Sequence, residues 1–254
     1  MLIHSGGCNV WEPMGSAYAI ALQQFLSIGW YEAHLAGIRT GPPYWAKNPA
    51  TGKLATWYDL SGNGRSLSAA VPSEPALAPV GLNTVARCNA DSVVGRNAPG
   101  YAGQQKVTTM VVMVPAIATS YASFSWSRFG WCAQHQSSTV LITLSPSLYG
   151  TVPLVPANPY ILCARFDGTQ PTNATRLRIR LNGVDGAPTY SGIIPASLAV
   201  DIGTNVSVGS TDYPAGGYKF TGDIMAYCTV FRVLSNAEVV KAETALRQLI
   251  GGLP

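Results

Sequence analysis

Residues 175–186, TRLRIRLNGVDG, alternate without a break. Leu177, Ile179 and Leu181 fall on one side and Arg176, Arg178 and Arg180 on the other, which is the two-residue period of a half-buried β-strand. The Asn182-Gly183 pair that ends the run accepts positive φ at both positions and predicts a tight hairpin. A strand with one dry face needs a sheet to pair with and a second layer to cover it. The chain supplies the strands: KVTTMVVMVPAI at 106–117, STVLITLS at 138–145, NPYILCARFDG at 158–168, VSVGST at 206–211 and GDIMAYCTVFRVL at 222–234.

Helical signals are few. Ser235 and Glu238 form a Ser-x-x-Glu capping box, Val239, Ala242, Leu246, Leu249 and Ile250 give an apolar stripe, and Gly251-Gly252 end it. Tyr18, Leu22, Phe25, Leu26 and Gly29 follow helical spacing near the other end. The pattern predicts an all-β protein, an antiparallel two-sheet sandwich with a C-terminal helix and a short N-terminal helical arm. Nothing repeats at a fixed period and no linker divides residues 31–254, so these are expected to form one sandwich. Residues 1–30 are expected to be an arm that docks on a partner.

Composition narrows the function classes. Only 11% of residues are charged, less than half the usual share of about 25%. Such a surface resists association poorly, which predicts coverage by partner subunits and a homo-oligomer. A net charge of +4 on 16 scattered basic residues is too weak for a nucleic-acid footprint. Residues 14–31 carry no charge until Tyr31 is passed, but Gln23, Gln24, Ser27 and Gly29 interrupt them and no basic residue precedes them. Neither membrane insertion nor a secretion signal is expected there. Cys8, Cys88, Cys132, Cys163 and Cys228 are odd in number and far apart, which predicts free thiols in a reducing compartment.

Three stretches carry candidate chemistry. In TWYDLSGNGRSL, residues 56–67, Gly62 and Gly64 fit the first two glycines of a phosphate loop, but Leu67 stands at the third and no helix follows. Asp59, Ser61, Asn63 and Gly64 copy the opening of a calcium-binding loop, yet Ala70 replaces the bidentate glutamate at the twelfth position. The preferred reading is a tight turn whose Asp and Ser side chains bond to backbone N–H groups, with Asp59 the one calcium-ligand candidate. No other cofactor is expected. SYASFSWSRFGWCAQH, residues 120–135, is the richest aromatic stretch; Tyr121, Trp126, Trp131, Gln134 and His135 combine stacking faces with polar groups and are the glycan-contact candidates. The competing reading puts these rings in the core or a subunit interface. The histidines His4, His34 and His135 lie near no G-x-S-x-G elbow, so a nucleophilic triad is not expected. The arginine stripe at 176–180 reads as a solvated strand face, with an acidic partner as the alternative.

Three motifs occur in a telling order. They are Trp57, Asp59, Ser61, Gly62, Asn63 and Gly64; then Leu181, Asn182 and Gly183; then Gly209, Ser210, Phe220, Gly222, Asp223, Ile224, Leu234, Ser235, Ala237 and Glu238. In this order the chain resembles the LamG-like, concanavalin A-like lectin–glucanase jelly-roll domains, of the kind found in bacteriophage virion proteins. The resemblance covers residues 31–254 and implies two antiparallel sheets packed face to face. It implies little about chemistry, because that sandwich carries lectins, hydrolases and virion parts alike. Its hydrolases resemble one another in placing acids at alternate positions of one strand, whereas Asp212, Asp223, Glu238 and Glu243 stand apart here. The expectation is therefore a non-enzymatic virion protein (capsid decoration, head fibre or tail appendage) with host-glycan adhesion. A stand-alone extracellular lectin is the alternative, and a glycoside hydrolase comes third.

Overall fold

The computed structural model describes residues 2–5, 8–11, 17–35, 37–38, 44–69, 71–80, 83–89, 94–97, 103–116, 121–126, 130–136, 138–145, 147–198, 205–211, 218–251 and 253. A hairpin of β1 (Leu2–Ser5) and β2 (Cys8–Trp11) precedes helix α1 (Ala17–Leu26). Then come β3 (Glu32–Leu35), β4 (Gly37–Ile38), β5 (Trp45–Lys47), β6 (Leu54–Trp57), β7 (Leu67–Ala69), β8 (Ala76–Val80) and β9 (Asn83–Cys88). The middle of the chain forms β10 (Val94–Asn97), β11 (Lys106–Pro115), β12 (Tyr121–Trp126), β13 (Cys132–Gln136), β14 (Thr139–Ser145) and β15 (Leu148–Pro153). There follow β16 (Tyr160–Asp167), a single turn α2 (Asn173–Arg176), β17 (Leu177–Leu181), β18 (Val184–Asp185) and β19 (Thr189–Ser191). Last are β20 (Asn205–Val208), β21 (Gly222–Val230) and α3 (Asn236–Ile250).

The strands make two large antiparallel sheets, as the period-two patterns predict. One runs β19-β15-β14-β13-β12-β20-β10-β7-β6-β5. The other runs β18-β17-β16-β11-β21-β9-β4, with β3 also paired to β21 and β8 to β9. The β1-β2 hairpin is a separate two-stranded sheet.

Two apolar layers hold these parts together. Between the sheets lie Val107, Val111, Phe124, Trp131, Leu162, Phe166, Ile179 and Tyr227. On the opposite face of the second sheet, Met110, Val112, Ile161, Cys163, Ala226 and Cys228 pack with Leu22 and Phe25 of α1 and Val239, Ala242, Leu246 and Leu249 of α3. Strands β11, β16 and β21 are therefore dry on both faces. That is why their sequences read as unbroken apolar runs instead of alternating. The described cysteines Cys88, Cys132, Cys163 and Cys228 are unbridged and buried.

Local signals in the sequence act as expected. Ser235 Oγ accepts from the Glu238 N–H while the Glu238 carboxylate accepts from the Ser235 N–H, starting α3. Asn182 and Gly183 adopt φ of 50° and 88° and turn β17 into β18.

Helix α1, which falls within the arm expected at residues 1–30, packs on the helical layer. Ala21, Leu22, Phe25, Ile28 and Trp30 are buried in the same layer as α3, Lys241 Nζ donates to Ser27 Oγ at 2.8 Å, and the Tyr18 and Tyr44 hydroxyls meet at 2.6 Å. The apolar face of α1 is occupied by its own domain. An amphipathic helix near a chain end looks like an arm in sequence because the surface it covers lies more than 200 residues away, on α3.

Gly222, at the start of β21, has φ of 147°, and a Cβ there would fall 2.2 Å from the Val114 carbonyl oxygen. Gly222→Ala is expected to destabilise the protein by on the order of 3 kcal/mol, read as a lowered urea midpoint. A midpoint equal to wild type would show that the backbone there can relax.

Candidate functional site

Among the described side chains, the glycan-contact candidates Gln134 and His135 take different faces of β13. Trp131 is only 1% exposed; its indole N–H donates to Thr109 Oγ1 at 2.8 Å, and its ring lies 6.2 Å from Phe166. His135, 2% exposed, follows Ala133 on the face of β13 turned into the protein. Both side chains therefore lie in the interior, where the competing reading of this stretch puts its rings. Gln134 is partly exposed on the other face. Tyr121 and Trp126 are in β12, paired with His135 and Val206, and their side chains lie outside the described residues.

Asp59, the calcium-ligand candidate, is engaged by its own turn. Its Oδ1 accepts from the N–H groups of Ala33 and Ser61, and its Oδ2 from the Arg65 N–H and the Ser61 hydroxyl, all at 2.8–3.0 Å. Four donors fill the lone pairs that a cation would need. Arg65 also lies 3.6 Å over the Tyr31 ring, and the Asn63 amide donates to the carbonyls of Trp30 and Tyr31. The loop is a turn that grips the start of β3. Among the described residues no three His, Cys, Asp or Glu side chains gather in a metal-sized group.

A buried ionic cluster, unanticipated from the sequence, bridges the sheets beside that loop. Glu32 of β3 accepts from Arg96 of β10 at 2.9 Å and from the Tyr227 hydroxyl at 3.2 Å, with His34 Nε2 3.7 Å away. Glu32 and His34 are fully buried, so the cluster joins the layers and meets no ligand. The signal was the segment EAHL, where a glutamate and a histidine occupy alternate positions of a strand.

Two clefts among the described residues open to solvent. One, of about 460 Å³, has a largely apolar wall of Val114, Ala116, Ala157 and Cys88, and its charged residues Arg87 and Asp223 bond each other in a two-pronged pair at 2.7 and 2.8 Å. Burial pushes the Cys88 thiol up to about 12, so no nucleophile is presented there.

The other cleft, about 430 Å³, lies where β16 and β17 run past the strap of residues 185–190. Arg165 and Arg178 are direct partners across the β16–β17 ladder, and Asp185, Pro188 and Tyr190 form the facing wall. Arg178 is exposed, whereas Arg165 is only 3% exposed. The Tyr190 hydroxyl donates to the Leu177 carbonyl, and burial raises its pKa. Gly186 lets the strap press close, since a Cβ there would lie 2.7 Å from Val152 Cγ1. The arginine stripe is thereby split. Arg180 turns to Glu243 of α3 at 2.9 Å, Arg176 binds the carbonyls of Gln170 and Ile194, and only Arg178 stays on an open face. The volume, one aromatic ring and convergent polar groups fit a sugar-sized ligand. Arg165 was hidden in the sequence inside the apolar run YILCARFD.

No protein-family model and no curated protein sequence matches the chain. Solved structures share its sandwich. Botulinum neurotoxin type C, whose cell entry depends on interaction with two ganglioside molecules, aligns with a TM-score of 0.56 at 10% identity, over 87% of this chain and 52% of that one. The type G receptor-binding domain gives 0.51 at 12% identity, over 86% and 51%. The binding domain of neurotoxin DC in complex with SialylT gives 0.53 at 9%, over 86% and 52%. The likeness is one of fold. The chain spans about half the length of each.

The Asp59 carboxyl is held below its ordinary value of 3.8: burial alone would raise it, but His34 and the N–H groups of Ala33, Arg65 and Ser61 outweigh burial. A depressed carboxyl stabilises the fold above its unfolded pKa and loses that contribution as pH falls through the folded value. Asp59→Asn is expected to cost on the order of 3 kcal/mol at neutral pH, with the gap to wild type narrowing below pH 3.8. Urea titrations at several pH values check this, and added calcium or EDTA should move neither midpoint.

Proposed function

We propose that the chain is a non-enzymatic glycan-recognition sandwich, carried as a structural part of a bacteriophage virion, that binds host-surface sugar in the cleft of Arg165, Arg178 and Tyr190. The observation that carries this reading is the cleft itself, a sugar-sized recess with an aromatic wall and charged groups beside an exposed sheet edge. The fold it shares with toxin domains whose structures concern gangliosides and SialylT supports a recognition role. Hydrolysis is disfavoured because every described carboxylate already has a structural partner. Glu32 pairs with Arg96, Glu74 with Asn48, Asp167 with Thr169, and Asp223 with Arg87. Asp185 and Glu243 both meet Arg180, Glu238 caps α3, and Asp59 holds its turn. The virion setting rests on the LamG-like motif order and the weakly charged surface, which suits a subunit in contact with others.

Glycan-array binding by the intact protein tests the recognition role. Wild type is expected to bind at least one glycan class, and Tyr190→Ala to weaken it about tenfold by removing the stacking face. An array with no bound glycan would refute the reading. For the assembly role, removing residues 1–16 while keeping α1 should leave the melting temperature unchanged and abolish incorporation into particles. Normal incorporation would assign the docking surface elsewhere.

A further inference from the structure

Within the cleft, Arg165 is incompletely used. Its NH1 donates to Asn236 Oδ1 at 2.6 Å and to the Leu234 carbonyl at 3.3 Å, fixing the guanidinium against the start of α3. Its NH2 reaches Asp185 Oδ1 only at 3.5 Å, and its buried Nε–H has no hydrogen-bond partner among the described residues. Nε and NH2 form the flat edge of a guanidinium that matches the two oxygens of a carboxylate. Elsewhere in this protein Arg87 uses that edge on Asp223, at 2.7 and 2.8 Å. In Arg165 the same edge is held by one long contact.

Two further observations favour an anion as the partner of this edge. Arg178, directly opposite Arg165 in the ladder, makes no ion pair among the described residues, and two like charges in that position destabilise a sheet unless something neutralises them. Asp185 is 55% exposed and is shared at 3.5 Å with Arg165 and 3.4 Å with Arg180. Arg180 keeps its firmer bond to Glu243 at 2.9 Å if Asp185 moves away. Asp185 is thus a weakly held internal carboxylate over an arginine edge that a better-placed one could occupy.

We infer that this cleft selects a sugar bearing a carboxylate, taken side-on by Arg165 and steadied by Arg178, with Asp185 as the internal competitor that the ligand displaces. The inference rests on the glycan-binding reading above and specifies its ligand class. The ring of such a sugar faces Tyr190 and Pro188 while its acid group enters the arginine end.

Titration calorimetry with the intact protein tests it, using 3′-sialyllactose against lactose, glucuronic acid against glucose, and inorganic phosphate. In at least one pair the acidic sugar should bind about tenfold tighter than its neutral counterpart, and Arg178→Gln should erase that difference. Asp185→Asn should tighten the acidic sugar about threefold and leave the neutral one unchanged. Arg165→Lys keeps the charge without the flat edge and should also lose the preference; Arg178 is exposed, so its variant keeps the test decisive if Arg165→Lys misfolds. Equal binding of acidic and neutral sugars overturns the inference and leaves glycan recognition standing. Binding of no sugar at all overturns both. Phosphate held as tightly as the acidic sugars, and lost in Arg178→Gln, would make this a simple anion site and overturn the carboxylate assignment.

Discussion

The central sheet strands β11, β16 and β21 are covered on both faces, and the rest of the molecule is arranged around that fact. One face meets the second sheet and the other meets α1 and α3. A sandwich alone would leave the outer face of these strands to water, and Met110, Val112, Ile161 and Ala226 could not then be there. Once the helices supply a lid of apolar side chains, polar groups on the outer face are confined to its margins. Arg165, Arg180, Asp185 and Glu243 lie at that margin, where the cover ends. The position of the cleft follows from the position of the helices.

The two layers are also pinned through their interior. Glu32 and Arg96 bring opposite charges across the gap between sheets, with the Tyr227 hydroxyl as a third partner. Removing two ions from water is costly, so such a pair adds little net stability over apolar residues of the same size. Its effect is on register. A shift of β3 by one residue along β21 would turn Glu32 into the helical layer, away from Arg96, and a buried charge without a partner is strongly unfavourable. The Asp59 turn beside it holds the start of β3 through the Ala33 N–H, which fixes the same strand from its other side.

The fold was legible because its signals are local. Asn182-Gly183 sets a hairpin, Ser235 and Glu238 start a helix, and the motif residues Trp57, Asp59, Phe220 and Gly222 each have a packing or backbone reason. The site was mostly illegible because it depends on which side of a sheet a residue takes and what lies beyond it. An aromatic run cannot reveal that Trp131 points at Thr109 on another strand. The stripe at Arg176, Arg178 and Arg180 was visible, but the residue that gives it meaning, Arg165, sits one strand away within an apolar run. The role of α1 was obscured for the same reason, since the helix it packs against is at the far end of the chain.

The double covering has a chemical consequence for the thiols. Cys163 and Cys228 face the helical layer on either side of Met110, and burial drives the Cys163 thiol up to about 12 and the Cys228 thiol well above the usual range. A thiol reacts as its anion, so these sulfurs are silent toward alkylating reagents while the lid is closed. Their rate of labelling is a clock for the opening of the helical cover. Cys88, packed in the layer between the sheets, keeps time for the sandwich itself. The chain carries its own reporters of which layer comes apart first.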